Sequence, residues 1–252
     1  MIPKIIHYCW LSDEPYPSII QYCLNSWKRY LPDYEIILWD KKKFDINSSK
    51  WVQQAFNAKK YAFAADYIRL YALYHYGGIY LDSDVEVVKT FNPLLHQPYF
   101  FGTENNETIR IEAATIGVEP HNDFILKCLQ YYEERDFIVG GDMDLKPLPF
   151  IMMSYISNYK LIKREEDFDT INASNTLQIY SEDFFSPKDN VDATLHKTRN
   201  TYSIHHFNGS WLNKYDKLYN SFARLFGRKG AKVLMNIIVC LYRFLRPKKS
   251  KV

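Results

Sequence analysis

Apolar and polar positions along this chain repeat with two different periods, and the switches between them mark out its elements. Ile2 to Cys9 is an almost unbroken apolar run of strand length. The polar stretch LSDEPYP breaks it, and Ser18 is placed to cap a helix whose Ile20, Cys23, Leu24, Trp27 and Leu31 recur at helical spacing. Pro32 and Asp33 end that helix, and YEIILW predicts a second strand. A strand, a helix and a strand in this order predict a parallel pair with a right-handed crossover. Asn57 to Tyr76 predicts another helix, stopped by Gly77-Gly78, and Ile79 to Val88 a strand before the FNP turn.

Further along, YFFGT and EAATIGV read as strands and His121 to Arg135 as a helix. The loop GGDMDLKPLPF leads into a helix through Tyr159, and LQIYSEDFF and TYSIHHF close the series as strands. The order predicts an α/β domain with a mostly parallel central sheet. In such sheets ligands sit beyond the carboxyl ends of the strands, where Trp10, Asp40 and the acids at 82–86 fall.

Charge changes the picture at one end. Residues 213–252 hold 11 Lys and Arg against one acid, a net of +10, whereas residues 1–212 hold 21 against 28, a net of −7. The expected organisation is one α/β domain over residues 1–212 and a basic, amphipathic helical tail over 213–252. Phe222, Leu225 and Phe226 form an apolar stripe there beside Arg224, and residues 231–245 are apolar nearly all round. Two readings stay open for the tail: helices packed on the domain, or a surface that binds an anionic membrane. Its longest apolar run, VLMNIIVCLY, falls short of the ~20 residues of a bilayer span. The amino terminus shows no signal-peptide pattern. Cys9, Cys23, Cys128 and Cys240 have no paired spacing, which argues against a zinc site or disulfide framework. The expected location is cytoplasmic, peripheral on the inner face of the membrane.

The chemistry concentrates in YGGIYLDSDVEVV. Strand alternation would set Tyr80, Asp82, Asp84 and Glu86 on one face, although aspartate is disfavoured in strands. Such a face is either solvated or holds a cation, and oxygen ligands favour Mg²⁺, Mn²⁺ or Ca²⁺. On the preceding helix Asp66 and Arg69 share a face amid apolar neighbours. They form either a surface ion pair or a polar contact for a ligand. His205 and His206 point to opposite faces of their strand, so only one can join a given site. A histidine ligand would move the preference from Mg²⁺ toward Mn²⁺.

Three blocks in order, IPKIIHYCW, RLYALYHYGGIYLDSDVEVVK and HHFNGSW, resemble the Asp-x-Asp sugar-transfer glycosyltransferases of family 32. That family includes capsular-polysaccharide and mannosyl- or galactosyl-transferring enzymes. The resemblance spans residues 2–211 and implies a GT-A type single domain, a nucleotide-sugar donor and a divalent metal, Mn²⁺ or Mg²⁺. It implies Asp66, Arg69 and Asp84 as catalytic residues, with Asp66 and Arg69 at donor-sugar hydroxyls. It implies Asp82, Asp84 and His206 at the metal. Trp10, Tyr80, Asp82, Ser210 and Trp211 would bind the donor, with Trp10 stacked on the base. The chain departs from the family at residues 137–150, where many relatives carry Thr-Gly-Pro.

The function expected on these grounds is a metal-dependent, retaining hexosyltransferase in surface polysaccharide synthesis. It would use a UDP-sugar donor and a glycan or lipid-linked glycan acceptor. The alternatives are a non-catalytic carbohydrate-binding protein and a sugar nucleotidyltransferase. No nucleic acid is expected as a partner, because the apolar run in the tail suits lipid better.

Overall fold

The computed structural model describes residues 1–133, 135–171, 176–208 and 214–245. Strand β1 (Ile5–Cys9) leads into helix α1 (Ser18–Tyr30), and β2 (Glu35–Trp39) lies parallel to β1 with Ile6 opposite Ile36 and Tyr8 opposite Leu38. Ser18 is the first helical residue of α1 rather than its cap; Pro17, whose φ suits a helix entry and which has no N–H to leave unpaired, precedes it. Ile20, Cys23 and Trp27 are the buried stripe of α1, at the spacing the sequence predicted.

The helix expected from Asn57 to Tyr76 starts four residues later, and a separate helix that the sequence reading did not predict precedes it. Helix α2 (Lys50–Asn57) starts under a Ser49 cap, and α3 (Tyr61–Tyr76) follows a break in which Lys59 takes φ +56°. At the far end of α3, Gly77 has φ +63° and a Cβ there would stand 2.6 Å from Pro120. Only glycine tolerates both conditions, so the helix stops and the chain re-enters the sheet.

The predicted strand 79–88 is also two pieces. Strand β3 (Gly78–Leu81) lies parallel to β1, and β4 (Val85–Val87) leaves the main sheet. Between them the Val85 N–H closes a turn onto the Asp82 carbonyl at 2.9 Å. Asp and Ser are turn formers, and that preference overrides the strand pattern. Helix α1 then fixes β4: Trp27 Nε1 donates to the Val85 carbonyl at 2.7 Å, and Ser26 Oγ accepts from the Val87 N–H at 2.9 Å.

Strands β5 (Tyr99–Thr103) and β6 (Ile111–Val118) pair antiparallel, followed by α4 (Asp123–Glu133). A small hairpin, β7 (Ile138–Val139) with β8 (Asp142–Met143), occupies the segment that departs from the family pattern. Helix α5 (Leu148–Ser154) ends before the expected Tyr159, which instead opens β9 (Tyr159–Ile162). The expected strand LQIYSEDFF divides into β10 (Leu177–Tyr180) and the short helix α6 (Glu182–Phe185). Strand β11 (Ser203–His205) pairs antiparallel with β4.

The central sheet has the order β2-β1-β3-β6-β5-β10-β9 and is parallel except for β6, which runs opposite to both β3 and β5. This is the expected α/β architecture. Apolar layers lie on both faces, one carrying α2, α3 and α4 and the other holding Trp27, Phe91, Phe100 and Tyr202. These elements belong to one compact unit, Met1–Pro187 with His196–His206.

A second unit comprises Lys188–Leu195 and residues 207–252. Its helix α7 (Lys214–Leu245) is broken at Gly227, which has φ +70° and ψ 167°. Within this unit Arg228 pairs with Asp189 and Asp192. Leu225 and Phe226 are 75% and 61% exposed, and Val233 and Ile237 are also exposed. Among the described residues no helix is long and apolar enough to cross a membrane.

Candidate active site

The parallel strands β1, β2 and β3 end side by side at Cys9, Trp39 and Leu81, so Trp10, Asp40 and Asp82 emerge at one edge of the sheet. Beneath this edge α3 delivers Arg69, which is buried. Its Nη2 lies 3.0 Å from Asp82 Oδ1 and 3.3 Å from Asp66 Oδ1, and its Nη1 donates to the Ala113 carbonyl. The guanidinium stacks over the Tyr80 ring at 4.3 Å. Asp66 and Arg69 are therefore not a solvated ion pair. One buried cation ties helix α3 to the acidic turn after β3.

Burial pushes the Asp66 carboxyl up to about 7, with Arg69 pulling it down and Asp82 pushing it further up. At neutral pH this group sits near its midpoint, poised between accepting and donating hydrogen bonds.

The turn at 82–84 separates the three acids that strand alternation would have aligned. Asp82 faces Arg69, whereas Asp84 Oδ1 lies 3.4 Å from His205 Nε2. Glu86 goes elsewhere: it accepts from the Tyr22 hydroxyl at 2.7 Å and contacts His206 Nε2 at 2.9 Å. The expected ligand set is thereby changed. His205, not His206, joins Asp82 and Asp84, and one ligand atom from each of the three lies within 4.8 Å of the others. The reason is the register of β11 on β4. His205 is opposite Val85, and His206 lies one step further, across the strand.

Two carboxylates and an imidazole converging at this spacing fit a divalent cation of the Mn²⁺ or Mg²⁺ class. Asp84 and Glu112 hold the His205 imidazolium well above its usual range, outweighing the opposing effect of burial.

Tyr80 departs from the donor-binding role that the resemblance implied. Its side chain is 1% exposed and covered by Arg69, leaving no open face for a base. It supports the guanidinium from below. Trp10 is half-buried at the carboxyl end of β1, edge-on to Tyr16 at 4.9 Å, and its Nε1 donates to the Glu14 carbonyl. It lines a cleft of about 290 Å³ with Ser12, Tyr16, Asp40 and Lys41. A planar ring could enter that cleft. Ser210 and Trp211 lie outside the described residues.

The sequence reading missed two carboxylates. Glu112, on β6, is fully buried and contacts His205 Nδ1 at 3.4 Å. Burial and the nearby Glu112 push Glu104, at the end of β5, up to about 7. An acid at the head of the apolar strand EAATIGV was the available signal, as strong in kind as the one at Asp82.

Residues 17–101 match the family described as a glycosyltransferase sugar-binding region containing a DXD motif. Inositol phosphoceramide mannosyltransferase 1 of Schizosaccharomyces pombe is 28% identical over 65% of this chain and 54% of its own length. Mannosyl phosphorylinositol ceramide synthase SUR1 of Saccharomyces cerevisiae is 32% identical over 54% of this chain and 36% of its own. Inositol phosphoceramide mannosyltransferase 3 of S. pombe is 38% identical over 38% of this chain and 28% of its own. The chain thus spans about half or less of these curated relatives. Among solved structures, the PaToxG glycosyltransferase aligns with a TM-score of 0.42 and 21% identity, covering 51% of this chain and 59% of that one. The galactosyltransferase LgtC, in complex with donor and acceptor sugar analogues, aligns with a TM-score of 0.44 and 14% identity over 92% and 95% of the two chains. Scores this low carry no argument about the site. The family match does bear on it: residues 17–101, which hold Asp66, Arg69, Asp82 and Asp84, are similar to a glycosyltransferase sugar-binding region containing a DXD motif.

Proposed function

We propose that the chain is a metal-dependent hexosyltransferase that moves a sugar from a nucleoside diphosphate donor to a glycan or lipid-linked glycan acceptor. The observation that carries this reading is the junction at Arg69, with Asp66 on one side and the Asp82–Asp84–His205 cluster on the other. A donor has the same two ends, neutral hydroxyls on the sugar and negative charge on the diphosphate. Asp66 and Arg69 offer hydrogen bonds to the hydroxyls. Asp82, Asp84 and His205 would hold a divalent cation, Mn²⁺ in the first place, which when bound supplies charge neutralisation at the diphosphate. Trp10 and its cleft would take the base, with uracil as the first to test.

The relatives, an inositol phosphoceramide mannosyltransferase and a mannosyl phosphorylinositol ceramide synthase, favour mannose as the sugar and a lipid-borne acceptor. A role in surface polysaccharide synthesis is consistent with such an acceptor. The transfer breaks the bond from the anomeric carbon to the diphosphate oxygen and forms one to the acceptor oxygen. We take it to occur on the same face, with retention, the acceptor proton passing to a leaving phosphate oxygen. Holding both partners in line of contact is the principal work asked of the side chains.

The exposed apolar residues of α7 and the +10 charge of residues 213–252 favour peripheral binding to an anionic leaflet, and with it a cytoplasmic location at the inner membrane face. A panel of nucleotide sugars, assayed for free nucleoside diphosphate with Mn²⁺ and with chelator, tests the central reading. Pyrophosphate release would instead indicate a nucleotidyltransferase, and silence across the panel a binding protein.

A further inference from the structure

We infer that Glu112 is a positioning residue, holding the His205 imidazole so that Nε2 faces Asp84 and the cation site. This rests on the reading of Asp82, Asp84 and His205 as the cation ligands. The Glu112 side chain is 0% exposed, on a strand whose other residues are nearly all apolar. A carboxylate in such a place is costly unless neighbours compensate it. Two groups converge on its Oε1: Ser186 Oγ donates at 2.6 Å, and His205 Nδ1 lies at 3.4 Å. Among the described residues its Oε2 makes no hydrogen bond, and the 3.4 Å approach of His205 Nδ1 to Oε1 is a charge contact outside hydrogen-bond geometry.

The imidazole spans the gap between two acids, with Nδ1 toward Glu112 and Nε2 toward Asp84, each at 3.4 Å. A histidine ligates through a lone pair, so Nε2 ligation requires the proton on Nδ1. That proton needs an acceptor, and Glu112 is placed to be it. A carboxylate behind a ligating imidazole fixes both tautomer and ring plane, and makes the ring a better donor to the cation.

The frame around this pair is built to keep it in register. Ser203, two residues before His205, donates from Oγ to the Phe185 carbonyl at 3.1 Å, and its Oγ lies 3.3 Å from Thr115 Oγ1 on β6. The segment that carries Ser186 is therefore tied to β11, and β11 is tied to the strand that carries Glu112. Rotation of the His205 ring by half a turn would aim carbon rather than nitrogen at Asp84, and Glu112 opposes that rotation.

The test is Mn²⁺ titration of the full chain, without donor, read by electron paramagnetic resonance. Wild type is compared with Glu112→Gln, His205→Ala and the double variant, and metal-free melting monitors folding. Glu112→Gln keeps the side chain's volume and is expected to weaken Mn²⁺ binding about 10- to 100-fold. Because Glu112 acts through His205, the double variant should bind no more weakly than His205→Ala alone. Glu112→Asp, which keeps the charge but withdraws it by one methylene, should fall between wild type and Glu112→Gln, and it carries the test should Glu112→Gln not fold. Wild-type affinity in Glu112→Gln, or in Glu112→Asp where it stands in, together with weakened affinity in His205→Ala, would overturn the proposal and leave the cation site standing. Further weakening in the double variant would also overturn it. Unchanged affinity in His205→Ala would remove the cation reading itself.

Discussion

Replacing Arg69 by Met tests whether the guanidinium is the electrostatic keystone of the site. Met has similar length but no charge, so Asp66 and Asp82 would face each other without the cation that lies 3.3 and 3.0 Å from them. The Ala113 carbonyl and the face of Tyr80 would lose their partner as well. Breaking a buried charge pair by removing one partner costs roughly 3–5 kcal/mol. Asp82 is 28% exposed and recovers some hydration, which favours the lower end, about 3 kcal/mol at pH 8.

The cost should depend on pH, and its sign follows from Asp66. Burial already raises this carboxyl to about 7 against the pull of Arg69, so without Arg69 it rises further. A carboxyl raised in the folded state stabilises most when protonated, and that contribution is lost as pH rises through the folded value. Below about 7, Asp66 is protonated in both proteins and the repulsion with Asp82 is gone. Above it, wild-type Asp66 ionises beside Arg69, whereas in the variant it must either keep its proton or ionise beside Asp82 with no cation. Urea denaturation followed by tryptophan fluorescence at pH 8 and pH 5.5 should therefore give a penalty that shrinks toward the lower pH. A penalty under ~1 kcal/mol at pH 8, or one that grows toward pH 5.5, would refute the reasoning.

Three further outcomes are expected. His7 is fully buried and held neutral between the Trp39 indole N–H and the Gly77 carbonyl, and burial lowers it to about 4. Its contribution is intact above pH 6.5 and lost as pH falls toward 4, so wild type should lose about 2 kcal/mol more than His7→Leu between pH 7.5 and pH 5, and parallel denaturation profiles would exclude this. Trp10→Ala should weaken nucleoside diphosphate binding by ~1–3 kcal/mol by calorimetry if the ring stacks on the base, and unchanged affinity would remove Trp10 from the donor site. Deleting residues 213–252 should abolish salt-sensitive binding to anionic phospholipid vesicles while sparing transfer to a short soluble acceptor. Full-length protein that ignores such vesicles at low salt would end the membrane reading.

The early β-α-β unit was legible because its burial is periodic: the apolar positions of Ile2–Cys9 and of α1 face the core as their spacing implies. The identity of the acidic region was legible too, since Asp82, Asp84, Asp66 and Arg69 stand out from their apolar surroundings. What failed was geometry at one turn. Strand alternation carried through residues 79–88 put Glu86 beside Asp82 and Asp84, whereas the Asp-Ser-Asp turn shifts it to Tyr22 and His206. The choice between His205 and His206 depended on the register of β11 against β4, a pairing between segments more than a hundred residues apart that no local pattern encodes. Glu112 was overlooked for a related reason. A lone acid in a strand acquires meaning only when the distant residue it faces is known.

The most direct test of the account is the release of nucleoside diphosphate from the best donor in the panel, measured for wild type and Asp84→Asn, with Mn²⁺ and with chelator. Asp84 sits 3.4 Å from His205 in a cluster of carboxylates, and neutralising one member of such a cluster rarely unfolds a protein. The expected result is activity in wild type with Mn²⁺, none in chelator, and near loss in an Asp84→Asn protein that still folds and melts cooperatively. Full release in chelator, or a fully active Asp84→Asn, would contradict it.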